Sequence, residues 1–264
     1  MELLIWILVL AVAGLSMLLY MRYLAGRDHV REEVVQTAFG NDEDRLRIFF
    51  ISDIHNRLIK EQTLKNAGKV DAVIIGGDLV DKRTSISKLE TNLRRLNHWE
   101  VPVYFIPGNN DHELIEEPLT AVLDRHRVVT LSNEDVEGEG KGGTPFIVTG
   151  LDPYFLKPRR SVELADSSCF RILCVHDPYV YSQMNAQEKK KYDLILSGHT
   201  HGGQIRLFGM GPYQRGGWSR RDSIPHLVSE GYGTSLLPLR LGTRAECHVI
   251  DIGGYVKNSS KNLA

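Results

Sequence analysis

Cysteine is scarce in this 264-residue chain: Cys169, Cys174 and Cys247 are the only three. They are too few and too scattered for a disulfide framework. Cys169 and Cys174 sit in or beside an apolar run, where small-side-chain packing is the expected role. Unpaired thiols also lean toward a reducing compartment. An excess of either charge is lacking too. The 32 Lys and Arg residues nearly cancel 33 Asp and Glu, so overall charge gives no reason to expect nucleic acid as a partner. No long internal repeat is visible, which argues against a repeat architecture. A phosphate loop is also missing. The glycine-rich run Gly138-Glu139-Gly140-Lys141-Gly142-Gly143 has no Lys after its last Gly in the required position, and is expected to be a turn. Apolar residues make up 42% and charged residues 25%. That is an ordinary globular balance, on a chain long enough for one sizeable domain.

From Leu3 to Met21 there is no charged side chain at all. About 20 apolar residues in a helix cross a bilayer core. A cleaved secretory signal wants a positively charged start, and Met1-Glu2 supplies none, so a retained single-pass anchor is expected. Arg22, Arg27 and Arg31 follow the span, which puts the remaining chain in the cytoplasm. Trp6 and Tyr20 lie near its two ends, as interfacial aromatics do. The expected organisation is an anchor over 1–26, a polar tether over 27–45, a domain over 46–256 and a polar tail over 257–264.

Within the domain, short apolar runs alternate with amphipathic stretches. Residues 48–52, 72–75, 103–106, 146–148, 171–175 and 194–196 have strand length and composition. Ile86, Leu89, Leu93 and Leu96 repeat at helical spacing, as do Leu119, Val122 and Leu123. Consecutive strands are expected from Leu123 to Leu151. The alternation argues for an α/β domain.

The chemistry lies just past the strand ends. The apolar runs lead into Asp53-Ile54-His55, into Asp78, into Asn109-Asn110-Asp111, into His176, and into His199-Thr200-His201. In an open α/β sheet, ligands collect outside the carboxyl ends of the strands. Glycines before Asp78, Asn109 and His199 let the backbone turn sharply and approach closely there. Nitrogen and oxygen donors without sulfur suit Mn²⁺, Fe²⁺, Zn²⁺ or Co²⁺, with Mn²⁺ the first expectation. There are more donors than one ion needs, which points to two ions sharing a carboxylate.

This motif series resembles that of the calcineurin-like metallophosphoesterases, which reads D-x-H, G-D, G-N-H-[D/E], H, G-H-x-H. Here it reads Asp53-Ile54-His55, Gly77-Asp78, Gly108-Asn109-Asn110-Asp111, His176 and Gly198-His199-Thr200-His201, over about residues 46–252. Gly202-Gly203-Gln204, and Gly231-Tyr232-Gly233-Thr234-Ser235 followed by Pro238 and Arg240, resemble a branch of small, often membrane-linked bacterial enzymes. The resemblance implies a two-sheet β-sandwich flanked by helices. It implies that Asp53, His55, Asp78 and His201 bind one divalent ion and Asp78, Asn109, His176 and His199 a second, with Asp78 bridging. It also implies hydrolysis of a phosphate ester, which near a membrane could be lipid-linked or a nucleotide.

Asn110 stands where the family carries a His that protonates the leaving oxygen. An amide is no acid, which favours phosphodiesters over unactivated monoesters. His112 is either a substitute acid or a surface residue. Arg57, next to the first motif, could contact a phosphate oxygen, and Asn110 could contact substrate. Arg206, Arg215, Arg220 and Arg221 form either a cationic rim or a solvated loop. Two alternatives to a phosphodiesterase stay open. One is a phosphomonoesterase or pyrophosphatase; the other is a metal-binding interaction module without catalysis.

Overall fold

The runs at 48–51, 72–75 and 103–106 are apolar at every position, as strands covered on both faces must be. A computed structural model describes residues 1–37, 45–140, 142–152 and 169–253, and in it these runs are central strands. The chain begins with α1 (Glu2–Gly26), β1 (Asp28–Gln36), β2 (Leu46–Ile51), α2 (Glu61–Ala67), β3 (Ala72–Gly76) and α3 (Ile86–Leu96). It continues with β4 (Val103–Ile106), α4 (Leu119–Arg125), β5 (Val129–Thr130), β6 (Glu134–Glu139), β7 (Pro145–Leu151) and β8 (Phe170–Val175). It closes with α5 (Pro178–Gln183), α6 (Ala186–Lys189), β9 (Leu194–Ser197), β10 (Gly217–Arg221), β11 (Ile224–Val228) and β12 (Ala245–Gly253).

The strands form two six-stranded sheets, ordered β1-β12-β2-β3-β4-β5 and β10-β11-β9-β8-β7-β6. β2, β3, β4 and β5 run parallel, as do β7, β8, β9 and β11. Alternate side chains point to opposite faces. Ile48, Phe50, Ile74 and Ile106 therefore meet Phe146, Ile172 and Leu196 between the sheets. Phe49, Ile51, Val73 and Ile75 pack outward against Leu89, Leu93 and Leu96 of α3 and Val122 and Leu123 of α4. Ser85 caps α3 by accepting from Lys88 N–H. On the far side, Leu173, Val175 and Ile195 pack against Val180 and Tyr181 of α5. The expected two-sheet sandwich flanked by helices is the fold observed.

The polar tether expected over 27–45 is corrected in part. Residues Asp28–Gln36 form β1, paired in parallel with all nine residues of β12. Asp28 joins this edge strand to the core. Its carboxylate accepts from Arg57, Thr63 Oγ1 (2.5 Å), Tyr232 OH (2.7 Å) and Lys60 Nζ (3.2 Å). Burial pushes the Asp28 carboxyl up, but Arg57 and then the hydroxyls and Lys60 outweigh it, so it lies below its ordinary value. The stabilisation is complete above the unfolded carboxyl's pKa, about 3.9. It is lost as pH falls through the lower folded value. Asp28→Asn should cost about 2 kcal/mol at pH 7, the scale of a hydrogen bond to a charged group. In urea unfolding, the gap between the two proteins should shrink below about pH 4. A gap that stays constant with pH would remove the carboxylate from this role. The tail expected over 257–264 lies outside the described residues.

The 25 residues of α1 are about 37 Å long at 1.5 Å per residue, against a bilayer core of about 30 Å. It is a helix long and apolar enough to cross a membrane, and its apolar stretch is not buried against the protein. Its last turns do touch the domain: Met21 and Ala25 are buried, and the Arg240 N–H donates to Met21 O at 3.1 Å.

Candidate metal centre

The parallel strands of both sheets bring their carboxyl ends to one edge. β2 delivers Asp53 and His55, β3 delivers Asp78, β4 delivers Asn109, β8 delivers His176, and β9 delivers His199 and His201. The backbone there is unusual. Asp53, His55, Asp78, His199 and His201 have φ of 54°, 51°, 50°, 69° and 49°. Non-glycine residues in this left-handed region are uncommon and strained, and such strain concentrates at functional sites. The loops are laced together by Asp53 N–H to Gly77 O (2.9 Å), His55 N–H to Asp78 O (3.0 Å) and Gly198 N–H to His176 O (2.9 Å). Two glycines permit the close approach. A Cβ at Gly108 would overlap the amide and carboxylate of Asp78, and one at Gly198 would overlap Asp53 and Ser52.

Two triads result. Asp53, His55 and His201 offer ligand atoms within 4.8 Å of one another, and so do Asp78, His176 and His199. Asp78 lies between them: its Oδ2 is 3.8 Å from His55 Nε2 and 3.3 Å from His176 Nε2. Its other oxygen, Oδ1, accepts from Asn110 N–H at 2.7 Å. In the first triad, His201 Nε2 is 3.4 Å from Asp53 Oδ1 and 3.1 Å from His55 Nε2.

The donors are aimed from behind. His176 Nδ1 faces Gly76 O at 2.8 Å, which turns Nε2 into the cluster. His55 Nδ1 lies 3.5 Å from Asp81 Oδ2, and Asp81 is held by Arg83. Asn110 Nδ2 donates to Glu113 Oε1 (2.9 Å) while Asn110 Oδ1 accepts from Asn109 Nδ2 (2.9 Å). That relay leaves Asn109 Oδ1 buried without a hydrogen-bond partner, and His176 Nε2 shares this condition. Buried orphan donor atoms beside two buried carboxylates fit divalent cations.

Electrostatics agree. Burial alone would push His176 down, but Asp78 and then Asp53 push it up to about 10. The same field that would protonate His176 draws in a cation. His201 is held well below its ordinary value by burial and by Arg240, and so stays neutral, as a metal ligand must. Arg240 is fully buried. Its Nη2 donates to the carbonyls of Glu230 (2.6 Å), Gly231 (2.9 Å) and Gly233 (2.7 Å) and lies 3.4 Å from His201 Nδ1. Asp111 is the other deep support. It accepts from the backbone N–H groups of Gly108 (2.6 Å), Asp78 (2.9 Å) and Val80 (3.1 Å), and burial with the Asp78 charge pushes it up to about 7. The sequence reading missed the roles of Asp81, Asp111 and Arg240. A usable signal was a carboxylate within three residues of a ligand, at 81 and 111.

Two expected residues are corrected. Arg57 does not face the cluster: its guanidinium binds Asp28 and Tyr232 O and stacks over the Tyr232 ring at 4.2 Å. His112 is exposed on the turn at 111–113, and it is Asn110 and Glu113 that line the adjoining cavity. That cavity, about 290 Å³, is also lined by His55, Lys82, Arg83 and Leu236. The arginine rim divides as well. Arg206 binds Gly202 O (3.0 Å), Gly209 O (2.5 Å) and Tyr213 O (2.6 Å), Arg215 pairs with Glu230, and Arg220 binds Ser223 O, so these side chains hold loops together.

Comparison with known proteins bears on the same residues. The family model for calcineurin-like phosphoesterases matches residues 46–203. The chain is similar to a Bacillus subtilis (strain 168) protein named "Uncharacterized protein YpbG", at 38% identity over 251 residues, 93% of this chain and 96% of that one. It is similar to "Uncharacterized metallophosphoesterase YkoQ" of the same strain, at 31% over 225 residues, 76% and 82% of the two chains. A Danio rerio "Transmembrane protein with metallophosphoesterase domain" is 27% identical over 228 residues, 76% of this chain and 52% of that one.

Proposed function

The chain belongs to the calcineurin-like phosphoesterases, and on that premise we propose a membrane-anchored phosphodiesterase that works with two divalent cations, Mn²⁺ foremost. The observation that carries the reading is the placement of Asp78 Oδ2 between the Asp53–His55–His201 and Asp78–His176–His199 triads. Asp53, His55, Asp78 and His201 would hold one ion, and Asp78, Asn109, His176 and His199 the other. Two divalent ions, when bound there, would supply charge stabilisation and water activation for in-line displacement at phosphorus.

The protein's own side chains do the rest. Asp78 presents one carboxylate oxygen to a histidine of each triad, and Asp81 and the Gly76 carbonyl fix the imidazoles of His55 and His176. Lys82, on the wall of the cavity beside His55, supplies positive charge for an anionic ester, while Arg83 on the same wall is committed to Asp81. Asn110 on the same wall is neutral, with its oxygen taken by Asn109 and one amide hydrogen by Glu113, so only the second amide hydrogen can meet a substrate oxygen and no acidic proton is offered. That supports a diester, whose leaving group relies less on a protein acid when it is itself acidic. The apolar stretch of α1, uncovered by protein, together with Arg22 near the end of that helix and Arg27 just after it, supports a single span with the domain in the cytoplasm. A relative named as a transmembrane protein supports the span, though not its orientation.

The test is hydrolysis of a bis-nitrophenyl phosphate and of nitrophenyl phosphate by Mn²⁺-loaded protein. The diester should turn over faster, and a chelator should abolish both activities. A faster monoester would replace the reading with a phosphomonoesterase. No hydrolysis of either by fully loaded protein would leave a metal-binding interaction module.

A further inference from the structure

Two hydrogen-bonded loops with apolar tips meet where α1 enters the domain. Leu237 lies three residues before Arg240, whose N–H donates to Met21 O of α1, so chain reach keeps its Cα within about 11 Å of that contact residue. Leu241 pairs with Ile205, and Arg206 N–H donates to Leu241 O at 2.8 Å, which brings the 207–210 turn to the same corner. The first tip exposes Leu207, Phe208 and Met210 by 55%, 99% and 71%, and the second exposes Leu236 and Leu237 by 77% and 62%.

These loops are built, not loose. Gln204 Nε2 donates to Ser235 O (3.1 Å) and Leu237 O (3.2 Å), its Oε1 accepts from Ser235 N–H (2.8 Å), and Arg206 ties down three carbonyls of the other loop. Phe208 and Leu236 have φ of 50° and 54°. Non-glycine strain that holds large apolar groups in water has no structural return inside the molecule. Clustered exposed apolar side chains mark an interaction surface. Continuity with α1 identifies which one: Arg240, three residues after Leu237, is bonded to Met21 of α1, whose neighbouring turns expose Leu18, Leu19 and Tyr23. At the foot of α1, Arg22, Arg27 and Lys60 border a shallow cavity suited to anionic headgroups.

We propose that Leu207, Phe208, Met210, Leu236 and Leu237 rest in the lipid surface beside α1, so that the metal centre opens at headgroup level. Leu236 and Leu237 also line the cavity next to His55 and Asn110. An ester whose apolar part stays in the bilayer therefore reaches the cluster without leaving it. The inference rests on the reading of α1 as a span.

The experiment uses the full chain in vesicles of phosphatidylethanolamine and phosphatidylglycerol. Nitroxide labels are placed singly through Phe208→Cys, Leu236→Cys and, at the opposite ends of the strands, Lys191→Cys, all with Cys169→Ser. Labels at 208 and 236 should collide with oxygen more than with a water-soluble nickel chelate, and the label at 191 should show the reverse. A pattern at 208 and 236 equal to that at 191, in protein that alkaline carbonate leaves in the vesicles, would overturn the proposal. Labels shielded from both reagents would mean a protein contact and would overturn it too. Release of unlabelled protein by carbonate would take down the span itself, and the lipid contact with it.

Discussion

Asp78→Ala is expected to lower kcat/KM by at least about 10³-fold, beyond the 10²–10³ that loss of one preorganised electrostatic donor costs. The excess comes from geometry. One carboxylate oxygen faces both His55 and His176, so both triads lose a donor together. The other oxygen accepts from Asn110 N–H, so the loop that presents Asn109 loses its hold as well. Metal content should fall along with rate. His55→Ala, by contrast, removes a donor from one triad and should spare the ion held by His176 and His199. The measurement is metal content and steady-state hydrolysis on the same samples, with circular dichroism to establish folding. Near-normal turnover in a folded, fully loaded Asp78→Ala protein would sink the shared-carboxylate assignment.

Asp111→Ala should be the most damaging change to stability at the site, although Asp111 offers no atom to either triad. Its carboxylate gathers three backbone N–H groups, from Gly108, Asp78 and Val80. Each buried donor left without a partner costs about 1–3 kcal/mol, so a loss on the order of 4 kcal/mol is expected. For a domain of this size that lowers Tm by roughly 10 °C. The loops carrying Asp78 and Asn109 would lose their common clamp, and metal affinity should fall with stability. Calorimetry in detergent, with and without Mn²⁺, reads both effects. A Tm within a degree or two of wild type would show that water satisfies those amides and that Asp111 is not the clamp.

The central strands were legible because burial on both faces leaves an uninterrupted apolar run, as at 48–51 and 72–75. β1 was not. It is a partly exposed edge strand whose sequence, Asp28-His29-Val30-Arg31-Glu32-Glu33-Val34-Val35-Gln36, reads as a polar linker, and its place is set by pairing with β12, more than 200 residues away. β10 is exposed at all five positions and leaves no apolar signature. The clustering of the candidate metal donors was legible because a parallel sheet sends strand ends to one edge whatever the details of packing. What lay beyond the sequence was direction. Arg57 sits two residues after His55, yet the chain turns its guanidinium back to Asp28, a partner on the strand that was itself hidden. His112 is two residues from Asn110 but projects into solvent, while Glu113 faces the cavity. Spacing of one or two residues fixes neighbourhood but not facing, once the backbone passes through left-handed φ as it does at Asp53, His55 and Asp78.

The most direct test of the two-ion centre is the electron paramagnetic resonance spectrum of wild-type protein saturated with Mn²⁺, recorded on a sample of known metal content. A carboxylate shared between both triads predicts two ions per chain with magnetically coupled spins, giving a multiline signal that collapses in Asp78→Ala. One ion per chain, or two ions that give only the uncoupled six-line spectrum of isolated Mn²⁺, would contradict it.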